Sequence, residues 1–184
     1  MTVLKVEKKD LSFLLDRLSS VINFNKDLPM NVFVGGGFLF WFFERPLLCY
    51  FEVFAELISK SVSSFKSDVF IKFSGGEPLE SSCFSLDGKD LERDIPWLSS
   101  RFDNFFDGAV GYPVVICDGA CNWVAFESAC EEFGVVAVKE SELQEVFYEY
   151  LNSNFISMEE LTELAAGSSV EGKIAKALIS SYCR

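Results

Sequence analysis

Pro113-Val-Val-Ile-Cys-Asp118, Gly119-Ala-Cys-Asn122 and Trp123-Val-Ala-Phe-Glu-Ser128 are the consecutive pieces of sequence that set the fold class. Two runs rich in β-branched and aromatic residues flank a short polar turn, the pattern of an antiparallel hairpin. Downstream, Gly134–Val138 reads as another short strand. Upstream, Asp68–Phe73 alternates, with Val69, Ile71 and Phe73 on one face and Asp68, Phe70 and Lys72 on the other. The turn signal Gly75-Gly76-Glu77-Pro78 leads into a strand at Ser81–Leu86, which Asp87-Gly88 ends.

Further upstream, Met30–Val34 and Phe38–Phe43 are β-prone and apolar at every position, so both of their faces should be covered. Gly35-Gly36-Gly37 between them reads as a turn or bulge. Helical spacing marks Leu11, Leu14, Leu15, Leu18, Val21 and Ile22, with a start at Asp10 or Ser12. Pro46 suits the first turn of a helix to about Ser64. Ser141 is placed to cap a helix to Asn152, and Ser157-Met-Glu-Glu160 has the spacing of a capping box opening a helix to Ala166. Val170–Tyr182 reads as a last helix, and Asp90–Phe106, with Pro96 and Trp97 in its middle, as irregular or weakly helical. The expectation is an α+β fold, a single domain over 1–184, with a central, mostly antiparallel sheet, packed helices and a helical C-terminus.

Composition narrows the function. The 184 residues include twenty phenylalanines and no histidine, and the net charge is −12. Without histidine there is no Ser-His-Asp or Cys-His catalysis and no histidine-based metal site. Between Glu80 and Tyr150 fifteen acidic residues face four basic ones, so nearly all of the net charge lies in that stretch. Such a balance disfavours nucleic acid and anionic membrane surfaces, which need Lys and Arg. The longest apolar run, Val32–Phe43, is too short to span a bilayer, and charges near the N-terminus interrupt any signal-peptide pattern. Six scattered cysteines without an export signal are expected as free thiols, and a cytoplasmic location follows.

Three motifs invite chemistry and each has a plainer reading. Cys117-x3-Cys121-x8-Cys130 lacks the paired knuckles of a zinc site, so these read as buried or idle thiols. Gly35-Gly36-Gly37 lacks the Lys-Ser/Thr of a phosphate loop. Asp68 with Asp87-Gly88-Lys89 has the residue order of a divalent-metal nuclease, although Asp-Gly at a strand end is first a turn. No cofactor, metal or catalytic residue is expected. The partner-binding candidates, chosen by charge and placement, are Asp94, Trp97, Asp103, Asp107, Asp118, Trp123, Glu127, Glu131 and Glu132.

Tyr112-Pro-Val-Val-Ile-Cys-Asp118, Trp123-Val-Ala-Phe-Glu127 and Glu132-Phe-Gly-Val135 resemble the strand–turn–strand segment of bacterial immunity proteins of polymorphic-toxin and contact-dependent growth inhibition systems. The aromatic run Phe38-Leu-Phe-Trp-Phe-Phe43 is similar in style. The likeness covers residues 30–150 and implies a non-enzymatic inhibitor, monomeric when free. Its expected partner is the C-terminal domain of a cognate secreted toxin, a basic nuclease being the expected kind. The alternatives are a dimeric secretion chaperone for an effector, or a Mg²⁺-dependent nuclease using Asp68, Asp87 and Lys89.

Overall fold

Among the described residues, the Pro113–Ser128 hairpin lies at the centre of an eight-stranded, wholly antiparallel sheet. The structure, a computed structural model, describes residues 2–107 and 111–183. The hairpin strands are β5 (Val114–Asp118) and β6 (Trp123–Glu127). On one side lie β3 (Val69–Lys72), β4 (Cys83–Leu86) and the two-residue edge strand β1 (Leu4–Lys5). On the other lie β7 (Phe133–Lys139), β2 (Phe38–Glu44) and the short edge β8 (Ile156–Ser157). The spatial order is β1-β4-β3-β5-β6-β7-β2-β8.

Helices cover both faces. α2 (Phe51–Phe65), α3 (Leu91–Phe106) and α4 (Glu145–Asn154) pack on the face carrying Trp41, Phe43, Ile71, Ile116, Trp123 and Val136. α1 (Lys8–Val21), α5 (Met158–Ala165) and α6 (Val170–Tyr182) pack on the face carrying Phe42, Val115, Val124, Phe126 and Val135. Every residue of β5 and β6 is therefore buried, Asp118 and Glu127 included, and the first four positions of each strand are apolar.

The capping box at Ser157 and Glu160 forms as expected, each side chain bonding the other residue's backbone N–H. Three expectations are corrected. Met30–Val34 is not a sheet strand: it makes one bridge, Phe33 to Ile22, and is tied down by Asn23 N–H to the Val32 carbonyl and by Tyr182 Oη donating to the Met30 carbonyl. The neighbours of β2 are already β7 and β8, so that segment folds back along the end of α1 instead. Asp90–Phe106 holds a regular sixteen-residue helix despite Pro96. An interior proline costs a helix about 3 kcal/mol. Ile95 and Leu98 are buried and Phe102 and Phe105 pack on the same core, each buried apolar side chain contributing about 1.5–3 kcal/mol, so burial wins. Finally, α4 begins after Gln144, three residues beyond Ser141, because Glu140–Glu142 first makes a 3₁₀ turn.

Candidate functional site: an acid-rimmed cleft at one end of the sheet

The acidic stretch divides when it folds. Alternating strand directions put the β5–β6 turn, Glu140, Glu142 and the Asp87-Gly88 turn at one end of the sheet. The β6–β7 connection, with Glu131 and Glu132, sits at the opposite end. The same end holds the last turns of α3, because Phe102, Phe106 and Glu132 line one cleft there.

Four of the nine candidates have interior positions, which corrects their expected exposure. Asp94 is fully buried, its carboxylate accepting from Thr2 N–H at 2.9 Å and Thr2 Oγ1 at 2.5 Å, so it ties the N-terminal strand to α3. Asp118 organises the β5–β6 turn, accepting from the backbone of Asn122 at 2.6 Å and of Trp123 at 3.2 Å and from Asn122 Nδ2 at 2.9 Å. Burial pushes its carboxyl up, and these hydrogen bonds oppose that. Trp123 is fully buried, with its indole N–H donating to Ser61 Oγ at 2.7 Å. Glu127 is buried too: Oε1 accepts from Leu47 N–H at 2.9 Å, whereas Oε2 has no partner among the described residues. Desolvation raises its carboxyl to about 7, against the pull of that hydrogen bond and of the Arg45 charge. Alternation along β6 dictates this pattern: Trp123, Ala125 and Glu127 share the face covered by α2–α4.

Trp97 is half-buried, edge-on to Phe84 and stacked under the Arg101 guanidinium at 4.8 Å. Asp103, Asp107 and Glu132 are exposed and Glu131 is partly so. No hydrogen bond or ion pair engages any of these four carboxylates among the described residues. Glu131 and Glu132 lie in the β6–β7 connection, and Asp103 and Asp107 directly follow the cleft-lining Phe102 and Phe106, so all four backbone positions belong to that end of the sheet.

The cleft has a volume of about 1050 Å³. Its walls come from the end of β2 (Phe42–Glu44, then Arg45 and Pro46), Phe102 and Phe106 of α3, Phe133 of β7, and Leu161, Leu164, Val170 and Ile174 of α5 and α6. Glu44, Glu132 and Glu171 are its acidic lining. Arg45 is anchored to the β6–β7 connection, its Nε donating to the Glu131 carbonyl and its backbone N–H to that of Glu132. The sequence reading missed the apolar wall. Its signal was an apolar surplus on the last two helices, where Leu164 and Val170 fall outside the buried positions Leu161, Ala165, Ala175 and Leu178.

The other motifs are placed as follows. Cys117 and Cys121 are buried near the β5–β6 turn, while Cys130 is exposed beyond the far end of β6, about 16 Å of strand away. Gly35 and Gly37 take positive φ, and the Gly37 carbonyl accepts from Glu140 N–H. Lys89 Nζ holds Asp87 at 2.8 Å, which draws the Asp87 carboxyl down to about 2. Among the described residues no group of three or more His, Cys, Asp or Glu side chains is placed to hold a metal ion. Lys72 is buried and donates to Ser74 Oγ, the Glu77 carbonyl and Ser82 Oγ. The trio has the composition of a serine–lysine nucleophile, yet all three residues are closed to solvent and none lines a described cleft. Its evident work is to hold the β3–β4 connection closed. Among the described residues no helix is long and apolar enough to cross a membrane.

No protein-family model matches this chain, and neither a curated protein nor a solved structure does.

Proposed function

We propose that this chain is a non-enzymatic binding protein that captures a basic protein at the Glu131–Glu132 end of its sheet. In biological terms it is an immunity protein that neutralises a cognate secreted toxin domain from within the cytoplasm. The observation that carries the reading is that the exposed Asp103, Asp107 and Glu132 and the partly exposed Glu131, unpaired among the described residues, lie at the end of the sheet where Glu132 lines an apolar cleft. Unpaired carboxylates around apolar surface attract a cationic partner, accelerate its capture and leave desolvated contact area to retain it. The toxin assignment adds the resemblance of residues 112–135 to immunity proteins. The cleft also favours the chaperone alternative; an obligate dimer in solution selects that one, and a monomer selects immunity.

The test uses the protein encoded directly beside this gene. Its C-terminal domain expressed alone should arrest growth, and co-expression of this chain should restore it. Glu131→Lys with Glu132→Lys should slow association by about tenfold at low salt while leaving the circular dichroism spectrum unchanged. A neighbour without effect on growth sinks the immunity role. Association indifferent to both the substitutions and salt sinks the electrostatic docking.

A further inference from the structure

The cleft itself has no task in the fold, and its shape and charge specify an occupant. Val170 and Leu164 stand on its wall with 68% and 45% of their surface exposed, so the apolar lining opens to solvent instead of closing over a cavity. Glu44, Glu132 and Glu171 line the same opening. Among the described residues the lining holds one cation, Arg45, whose Nε donates to the Glu131 carbonyl while its backbone N–H donates to that of Glu132. We infer that the cleft is the seat for an amphipathic basic segment of the protein partner, apolar side chains entering between α3 and α5–α6 and lysines or arginines meeting Glu44, Glu132 and Glu171.

This deepens the proposed function and rests on its claim that the partner is a cationic protein. Charge excludes the competing occupants. A second copy of the chain carries −12 and would bring acidic rims together in a two-fold pairing. An anionic lipid would face the same three carboxylates. An open trough with apolar walls and charged edges is the surface onto which amphipathic segments lay their apolar face, with anchors spaced at i, i+3 or i+4, and i+7.

The probe is a fluorescein-labelled synthetic helix of leucine and lysine, roughly sixteen residues long, with a scrambled peptide of identical composition as its control. Fluorescence anisotropy with the full chain reads the affinity. The amphipathic order should bind about tenfold tighter than the scramble. Leu164→Asn with Val170→Asn should abolish that preference, whereas Glu44→Gln, Glu132→Gln and Glu171→Gln together should weaken both peptides. Equal binding of the two peptides, or no binding of either, overturns the inference. If affinity in that case still falls with the glutamate substitutions, docking of a basic partner at the acidic end survives without the cleft. If affinity follows Leu164 and Val170 but ignores the glutamates and salt, the cationic partner is wrong. Self-association that Leu164→Asn and Val170→Asn abolish would make the cleft a dimer seam and also overturn the inference. Should that double variant unfold, hydrogen exchange on the wild-type chain decides instead: the peptide must slow exchange of the α5 and α6 amides, and unchanged exchange there refutes the seat.

Discussion

Glu127→Gln tests the interior directly. The Glu127 carboxyl shifts from 4.5 to about 7 because the side chain is buried, and its Oε2 has no partner among the described residues. In the native state the proton is retained across that interval, while in the unfolded chain it is lost from about 4.5 upward. The protonated form therefore contributes stability that is complete below about pH 4.5 and is lost as pH rises through about 7. At about 1.4 kcal/mol per unit, the shift is equivalent to about 3 kcal/mol, most of it lost between about pH 5 and 8. Histidine ordinarily dominates titration in this window, and the chain has none, which leaves the interval unusually clear. Glutamine keeps the acceptor for Leu47 N–H but cannot ionise. Urea denaturation followed by tryptophan fluorescence should show wild-type stability falling by about 2–3 kcal/mol more than that of Glu127→Gln from about pH 5 to 8. Parallel stability curves for the two proteins would refute the assignment of a buried, proton-holding carboxyl.

Other substitutions probe other supports of the same sheet. Ser61→Ala strips the buried Trp123 indole N–H of its acceptor and should cost about 1–3 kcal/mol in urea unfolding. Gly134→Ala would drive a methyl to 2.3 Å from the Phe43 ring and 2.9 Å from the Phe126 carbonyl, so a loss of about 1–3 kcal/mol is expected. Lys72 carries the opposite sign to Glu127: burial lowers its ammonium from 10.5 to about 8. The native state sheds that proton first, so wild-type stability should climb relative to Lys72→Met as pH rises from about 8 to 10.5, and a flat difference would count against it.

The fold class was legible because period and turn chemistry are local properties. The β5–β6 hairpin, the alternation of Val69, Ile71 and Phe73, and the Ser157 capping box are each written within a few residues. α3 was obscured because Pro96 is a strong local breaker, and the compensating burial of Ile95 and Leu98 comes from strands distant in sequence. Met30–Val34 misled for the opposite reason: its residues favour a strand, but every place beside β2 is taken by β7 or β8.

The candidate site separated along the same line. A tally of charge located the acidic stretch but assigned no side chain a direction. Along β6 a period of two sends Trp123 under α2 at Ser61 and Glu127 onto Leu47 in the turn before α2, and the Asp118 carboxylate is consumed by its own turn. The sequence by itself determined the α+β class, the β5–β6 hairpin and the absence of imidazole chemistry. Tertiary structure alone decided which carboxylates face water, because strand direction sends Glu131–Glu132 and Asp118 to opposite ends. It alone joined α3, β2, β7, α5 and α6 around one cleft, because those walls meet only through packing between residues far apart in the chain.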